Sequence, residues 1–388
     1  MTRLSKLTRA AGGSLGRSMP LSPVALTLSR TDKAVPASAA AVGPAGSCEA
    51  WSWLPTELVG AGISGSGERV FSELQRPWRW HETGPALGGR SGAEVARLGA
   101  VLPRILSRNP SSDGSHKLVL SLPADAATIE AVHMPRAVRR PRVTLCVSSQ
   151  VGCALACSFC ATGALGLTRH LSAGEIVGQV LVSAHALGPR HPGELTLVFM
   201  GMGEALHNFT NLARALRVLT HPAGLGLSPR RITVSTAGLV PQIERFGALP
   251  ERPLLAVSLN ATTDELRNEL MPINRRYPLA ALRSALTAYP TRPRERITVE
   301  YVLLAGVNDT VEDAARLADF CAAFSHQLNL IPFNSHPQSR FRAPSEASLD
   351  TFARAVLARR PTVISVRRSR ASDVAGACGQ LVAAERLG

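Results

Sequence analysis

Three cysteines crowd into eight residues, Cys153-Ala-Leu-Ala-Cys157-Ser-Phe-Cys160. The chain has seven cysteines in 388 residues, and the other four, Cys48, Cys146, Cys321 and Cys378, stand apart. An odd number with a dense triplet, in a chain this long, favours metal or redox chemistry over a disulfide scaffold. Thiolates spaced C-x3-C-x2-C on a tight loop can hold three corners of a [4Fe–4S] cluster, leaving the fourth iron open to a ligand that is not protein. Zinc is the competing reading. It needs a fourth protein ligand, for which His170 is the nearest candidate. Coincidental buried thiols are the plainest alternative, and the spacing argues against them.

Elements must exist to hold such a loop. From about residue 143, strand-like runs alternate with helical patterns. The runs are Val143–Ser149, Leu195–Met200, Arg231–Thr236, Leu254–Leu259, Ile297–Leu304 and Gln327–Phe333, with Thr362–Arg367 as a possible extra strand. Helical patterns fall near 172–186, 208–220, 279–289, 311–324 and 346–359. This alternation predicts an α/β fold with right-handed crossovers and a parallel sheet, either a partial barrel or a doubly wound sheet. Six principal strands are too few for an eight-fold barrel. Ligands should gather at the carboxyl ends of the strands, and the cysteine triplet follows the first of them, where a strand–helix loop begins.

Three regions are expected. Residues 1–50, rich in Ala, Ser, Gly and Pro, read as a poorly ordered extension. Its first thirty residues are basic, with no acid before Asp32, as in a transit peptide, but they lack a secretory signal's apolar core and cleavage site. An unstructured extension or a start codon placed too early is expected. Residues 51–135 read as a small N-terminal accessory domain with strand-like stretches Lys117–Leu122 and Ile129–Met134. Residues 136–388 form the main domain. Lys and Arg number 43 against 28 Asp and Glu, a net +15 that suits a polyanion or reflects an Arg-rich lineage. Basic clusters occur at Arg136, Arg139, Arg140 and Arg142, and at Arg230, Arg231, Arg275 and Arg276. Aromatic residues make up only 4%, which argues against a single-strand stacking platform. No apolar run reaches the length of a membrane span, so a cytoplasmic protein is expected.

A C-x3-C-x2-C triplet in the first strand–helix loop resembles the radical S-adenosylmethionine superfamily, which implies a partial (β/α)6 barrel. The surroundings are more specific. Thr144-Leu-Cys-Val-Ser-Ser-Gln-Val-Gly-Cys153, Phe199-Met-Gly-Met-Gly-Glu204, Leu270-Met-Pro-Ile-Asn274, Gly306-Val-Asn-Asp309, Leu330-Ile-Pro-Phe-Asn334 and Ala377-Cys-Gly-Gln-Leu381 occur in this order. Together they resemble the RlmN/Cfr family of radical S-adenosylmethionine RNA (adenine) methyltransferases.

The resemblance implies roles for particular residues. Cys153, Cys157 and Cys160 would ligate the [4Fe–4S] cluster. Gly203 and Glu204 would bind the methionine amino group of S-adenosyl-L-methionine, with Ser235, Ser258, Leu259, Asn260 and Asn334 as further contacts. Cys378 would accept a methyl group, lose a hydrogen from it and link to carbon 2 or carbon 8 of an adenine. Cys146 would attack the Cys378 sulfur and leave a disulfide, and Glu130 would remove the ring proton. The implied partners are ribosomal RNA, transfer RNA or both, and an electron donor such as flavodoxin or ferredoxin. Cys48 and Cys321 fall outside every motif and read as structural or incidental.

The chain departs from the family pattern in places. Asn260 stands where the family usually has histidine, losing a group that can be protonated. Ala205 replaces the proline common after Gly-Glu in the carbon-2 branch; the carbon-8 branch can have alanine there. The region before about 110 resembles the family's N-terminal domain only weakly. Two rival functions remain: a radical enzyme with another substrate, and a non-catalytic, metal-stabilised RNA-binding protein.

Overall fold

The computed structural model describes residues 49–63, 66–77, 101–136, 139, 141–188, 192–337 and 339–382. All of them lie in one compact unit, Ser38–Gly388. The extension expected over 1–50 falls, up to residue 48, outside the described residues, as do Cys48 and Arg140.

One ten-stranded sheet carries the fold. Strands β1 (Arg104–Pro110), β2 (His116–Ser121) and β3 (Thr128–Arg136) form an antiparallel meander, and β3 pairs antiparallel with β4 (Arg142–Cys146). A short hairpin, β5 (Gln150–Gly152) with β6 (Leu167–His170), stands apart from the main sheet. From β4 the order runs parallel through β7 (Leu195–Phe199), β8 (Ile232–Thr236), β9 (Leu254–Ser258), β10 (Ile297–Leu303), β11 (His326–Pro332) and β12 (Ile364–Val366). The sheet does not close, so β1 and β12 are its edges and the parallel strands make the partial barrel. Strands β7, β9 and β10 read as nearly continuous apolar runs because both of their faces are largely buried. All six expected principal strands are present, each within a few residues. The first leaves the sheet early: Val147 N still donates to Val198 O at 3.0 Å, but Ser149 N turns to Met202 O at 2.8 Å.

Sequence periodicity did not disclose β1, which alternates between exposed and half-buried positions and includes Pro110, as edge strands do. β3 ends at Arg136, so the boundary placed at 135/136 falls within continuous hydrogen-bonded sheet.

Among the described residues the α-helices are α1 (Pro55–Gly60), α2 (Gly67–Leu74), α3 (Ala161–Ala164), α4 (Ala173–Leu187), α5 (Phe209–Thr220), α6 (Val240–Gly247), α7 (Asp264–Leu270), α8 (Leu279–Ala288), α9 (Val311–Cys321) and α10 (Glu346–Arg359). Helix α4 starts at a capping box, in which Ser172 Oγ accepts from Glu175 N and Glu175 Oε2 accepts from Ser172 N. The short helices α6 and α7 left no legible sequence period. Trp51, Trp53, Leu58 and Phe71 from the N-terminal segment join the same hydrophobic core as the barrel helices. Arg214 on α5 clamps both oxygens of Glu57 at 2.9 Å. No described helix is long and apolar enough to cross a membrane.

Candidate active site

The carboxyl ends of β7 to β11 surround a cavity of about 1020 Å³, counted to its open mouth. Cys153, Cys157 and Cys160 line one end, and Gly203, Glu204, Ser235, Ser258, Asn260, Asn334 and Cys378 also face it. These residues come from separate elements. What joins them is the shared height of the strand ends.

The cysteine loop is framed by the β5–β6 hairpin. Cys153 N donates to Gly166 O at 2.8 Å. Gly152, at φ +77°, lies so near this carbonyl that a Cβ would sit 1.9 Å from it, so only glycine fits. Burial pushes the Cys153 thiol up to about 12. Burial, and then the neighbouring Cys160 and Cys153 sulfurs, push Cys157 well above the ordinary thiol range. Thiols so placed become thiolates only when a cation compensates them, which suits a ligand set for iron. No histidine lines this cavity among the described residues. His170, the candidate fourth ligand for zinc, instead meets the Gln150 amide at 2.9 Å and packs edge-on against His207.

Glu204 is buried. Its Oε2 accepts from Ala237 N at 2.8 Å and its Oε1 from Leu206 N at 3.2 Å. Burial outweighs these bonds and lifts the carboxyl to about 7. Gln150 fixes the backbone here: its Oε1 accepts from Glu204 N at 2.8 Å. Gly203, at φ +100°, packs on the Gln150 side chain, where a Cβ would lie 2.5 Å from Cβ of the glutamine.

Ser235 and Ser258 converge on a carboxylate that sequence reasoning does not single out. Glu300 Oε2 accepts from Ser235 Oγ at 2.9 Å and from Ser258 Oγ at 3.4 Å. Its other oxygen lies 3.6 Å from Arg367 Nη1. The available signal was a lone acid in the apolar run of β10; a buried polar residue is the informative kind. Arg267 also escaped notice. It is wholly buried, and its guanidinium donates to Leu259 O, Asn274 Oδ1, Ala237 O and Ser258 O. It thereby ties the ends of β8 and β9 to the Leu270–Asn274 motif.

Asn260 takes a left-handed conformation at φ +58°, one that asparagine and histidine both enter more readily than most residues. Its Oδ1 accepts from Val302 N at 2.9 Å, and its own carbonyl accepts from Asn308 Nδ2 at 2.8 Å. Asn308 of the Gly306–Asp309 motif thus braces this strand end. Leu259 is fully buried and does not line the cavity.

Cys378 lies on a C-terminal segment docked onto the cysteine loop. Ala161 N donates to Gly379 O at 2.8 Å, and Thr162 Oγ1 donates to Leu381 O at 2.6 Å. Asn334 Nδ2 donates to Cys378 O and Gln380 Nε2 to Ser335 O. Cys378 also lines a second, smaller cavity, of about 430 Å³, together with Cys146, Met200 and Arg367. Cys146 and Cys378 are both free thiols. Burial pushes Cys146 up to about 12.

Glu130 lines neither cavity. It shares the β3 face of Val132 and Met134, which do line the smaller one, and it is completely buried. Lys117 Nζ lies 3.2 Å from its Oε1. Burial lifts Glu130 to about 7 despite this partner.

The chain is similar to known proteins in sequence and in fold. Residues 147–318 match the Radical SAM superfamily. The dual-specificity RNA methyltransferase RlmN of Geobacter sulfurreducens is 49% identical over 288 residues, covering 74% of this chain and 76% of that protein. That of Sorangium cellulosum is 43% identical over 374 residues, covering 85% and 94%. The crystal structure of a radical SAM methyltransferase from Sphaerobacter thermophilus aligns with a TM-score of 0.76 at 38% identity, covering 85% of this chain and 96% of that one. The chain therefore belongs to the RlmN family of the radical SAM superfamily, whose cofactors are a [4Fe–4S] cluster and S-adenosylmethionine.

Proposed function

We propose that this enzyme methylates an adenine ring carbon in RNA through a methyl group carried on Cys378. The observation that carries the reading is that Cys378 borders two cavities: one shared with the three clustered cysteines, the other with Cys146. Ribosomal and transfer RNA are the proposed substrates, in keeping with relatives named dual-specificity RNA methyltransferases. Carbon 2 is favoured over carbon 8, because these relatives carry the RlmN name and Ala205 is a single departure.

Cys153, Cys157 and Cys160 would hold the cluster, and Gly203, Glu204, Ser235, Ser258, Asn260 and Asn334 the S-adenosylmethionine. When bound, these groups supply a methyl group and a carbon radical able to abstract hydrogen. Cys378 receives the methyl on sulfur, gives up one of its hydrogens and bonds the adenine through the remaining carbon. Glu130 takes the ring proton, while the unpaired electron of the adduct would return to the iron–sulfur cluster; the role of Glu130 is supported by a carboxyl lifted to about 7, close to the operating pH of a general base. Cys146 attacks the Cys378 sulfur and frees the product. A cytoplasmic setting and a flavodoxin or ferredoxin as electron donor complete the proposal.

The test is a Cys146→Ala variant expressed in cells and purified without oxygen. RNA covalently attached at Cys378 is expected, and its sequence and mass identify the nucleotide and the ring carbon. A cluster-loaded variant with no attached RNA and an unmethylated Cys378 overturns the proposal.

A further inference from the structure

Two charged residues bridge the two cavities. Glu300 lines the larger, where it accepts from Ser235 and Ser258, and its free oxygen faces Arg367 at 3.6 Å. Arg367 lines the smaller, beside Cys146 and Cys378. Its position is fixed by the main chain, since Arg367 N donates to Leu330 O at 2.9 Å just beyond β12. Its Nη1 also reaches Met200 Sδ at 3.3 Å, and Met200 borders both cavities. A guanidinium cannot give up its proton in a protein, so the smaller cavity holds a permanent positive charge beside two thiols.

We propose that Arg367 is a positioning residue for the release step, holding its positive charge against the sulfur anion of Cys146 as that anion attacks Cys378, while Glu300 orients the guanidinium. The inference rests on the function proposed above. In this step the Cys146 thiol gives up its proton and its thiolate attacks the Cys378 sulfur. A sulfur–sulfur bond forms and the bond from sulfur to the methylene carbon breaks. Its electron pair stays on that carbon, which takes a proton from water to become methyl, while the thiol proton of Cys146 passes to water, so that no net proton is consumed. The two cysteines are oxidised to a disulfide and the carbon is reduced, so the step needs no external oxidant. A dithiol reductant then restores the thiols for another turnover.

The surroundings make this charge matter. Cys146 is only 6% exposed, and its sheet neighbours Val132 and Val198 are apolar. Burial alone disfavours its thiolate, as does charge on Cys378 and Glu300, whereas Arg367 favours it. The other charged groups nearby are already paired: Glu130 with Lys117 on the same face, and Arg370 with Asp113. A cation on the cavity wall stabilises the attacking anion most where water is excluded.

The test compares holoenzyme with Arg367→Gln and Arg367→Lys variants. The first readout is alkylation of Cys146 by iodoacetamide at about pH 8, followed by peptide mass. The glutamine variant is expected to react about tenfold more slowly, equivalent to one unit of thiol pKa, and lysine to restore most of the rate. A side chain that served only to pack would leave Cys146 equally or more reactive when lost. The second readout is attached RNA. The glutamine variant is expected to accumulate it and to release it faster as pH rises, whereas Cys146→Ala retains it at every pH. Wild-type alkylation in the glutamine variant overturns the role of Arg367. If no variant, Cys146→Ala included, ever carries RNA, the methyltransferase proposal falls, and alkylation still decides what Arg367 does to the thiol.

Discussion

The Asn334 amide donates to the backbone carbonyl of Cys378 at 3.0 Å, joining the end of β11 to a segment near the C-terminus. Resemblance makes Asn334 a cofactor contact, and the geometry gives it a second task. Asn334→Asp keeps the shape but puts an acceptor against that carbonyl. A stability loss of about 1–3 kcal/mol is expected, the cost of leaving a part-buried acceptor unmatched. Denaturant midpoints measure the loss, and methylation of Cys378 should fall more steeply than cofactor binding. Equal losses in both would make the contact to Cys378 incidental.

Glu204 carries a pH prediction. Its folded carboxyl sits at about 7 because burial penalises the anion, against an ordinary 4.5. The ligand-free fold therefore holds a proton that the unfolded chain releases between those values. The resulting stabilisation is full below 4.5 and is lost as pH rises through 7, to the extent of about 3 kcal/mol. Glu204→Gln should flatten that part of the stability profile. An ammonium group bound beside Glu204 favours the anion, so S-adenosylmethionine should bind with proton release near pH 6. Calorimetry in two buffers of different ionisation enthalpy detects it, and identical heats would remove Glu204 from the amino group.

Arg267 should be the most costly single truncation in the site. Its four acceptors, three carbonyls and the Asn274 side chain, are left inside the protein when it is removed. Each buried acceptor left without its donor costs about 1–3 kcal/mol. Arg267→Met should lower the thermal midpoint more than Arg340→Met, whose exposed pair with Glu269 is worth no more than about 1 kcal/mol. Comparable shifts for the two variants would contradict the bracing role.

Gly203→Ala tests the Gln150 brace. A Cβ at φ +100° would lie 2.5 Å from the Gln150 Cβ, so the Glu204 backbone has to shift. A loss of S-adenosylmethionine affinity of tenfold or more is expected, with the cluster content unchanged. Gly60→Ala, where no atom lies within 4 Å, is the control.

The metal content follows from the donor set. Anaerobic protein should carry about four iron and four sulfide per chain. Cys157→Ser should lose most of both while leaving Cys378 a free thiol. Zinc at one per chain without iron would reinstate the structural-zinc alternative.

Much of this protein is determined locally. The spacing of Cys153, Cys157 and Cys160 is a property of one loop, and the six principal strands announce themselves as short runs rich in aliphatic and β-branched residues, near-continuous in β7, β9 and β10 and alternating in β8 and β11. The carboxyl ends of those strands, and so Ser235, Ser258 and Asn334, follow from periodicity and chain direction. Motif order adds Cys378 and Cys146 as a pair. What the sequence by itself could not determine is which residues of different strands meet. Glu300 is level with Ser258 because β9 and β10 pair in that register, and register depends on packing far along the chain. The same reason hid Arg367, which reaches the thiols only after β12 adds to β11. Helices α6 and α7 escaped because seven or eight residues span too few turns to show a period. Leu259 marks the converse: a motif can name a residue, but burial decides whether its side chain faces the cavity.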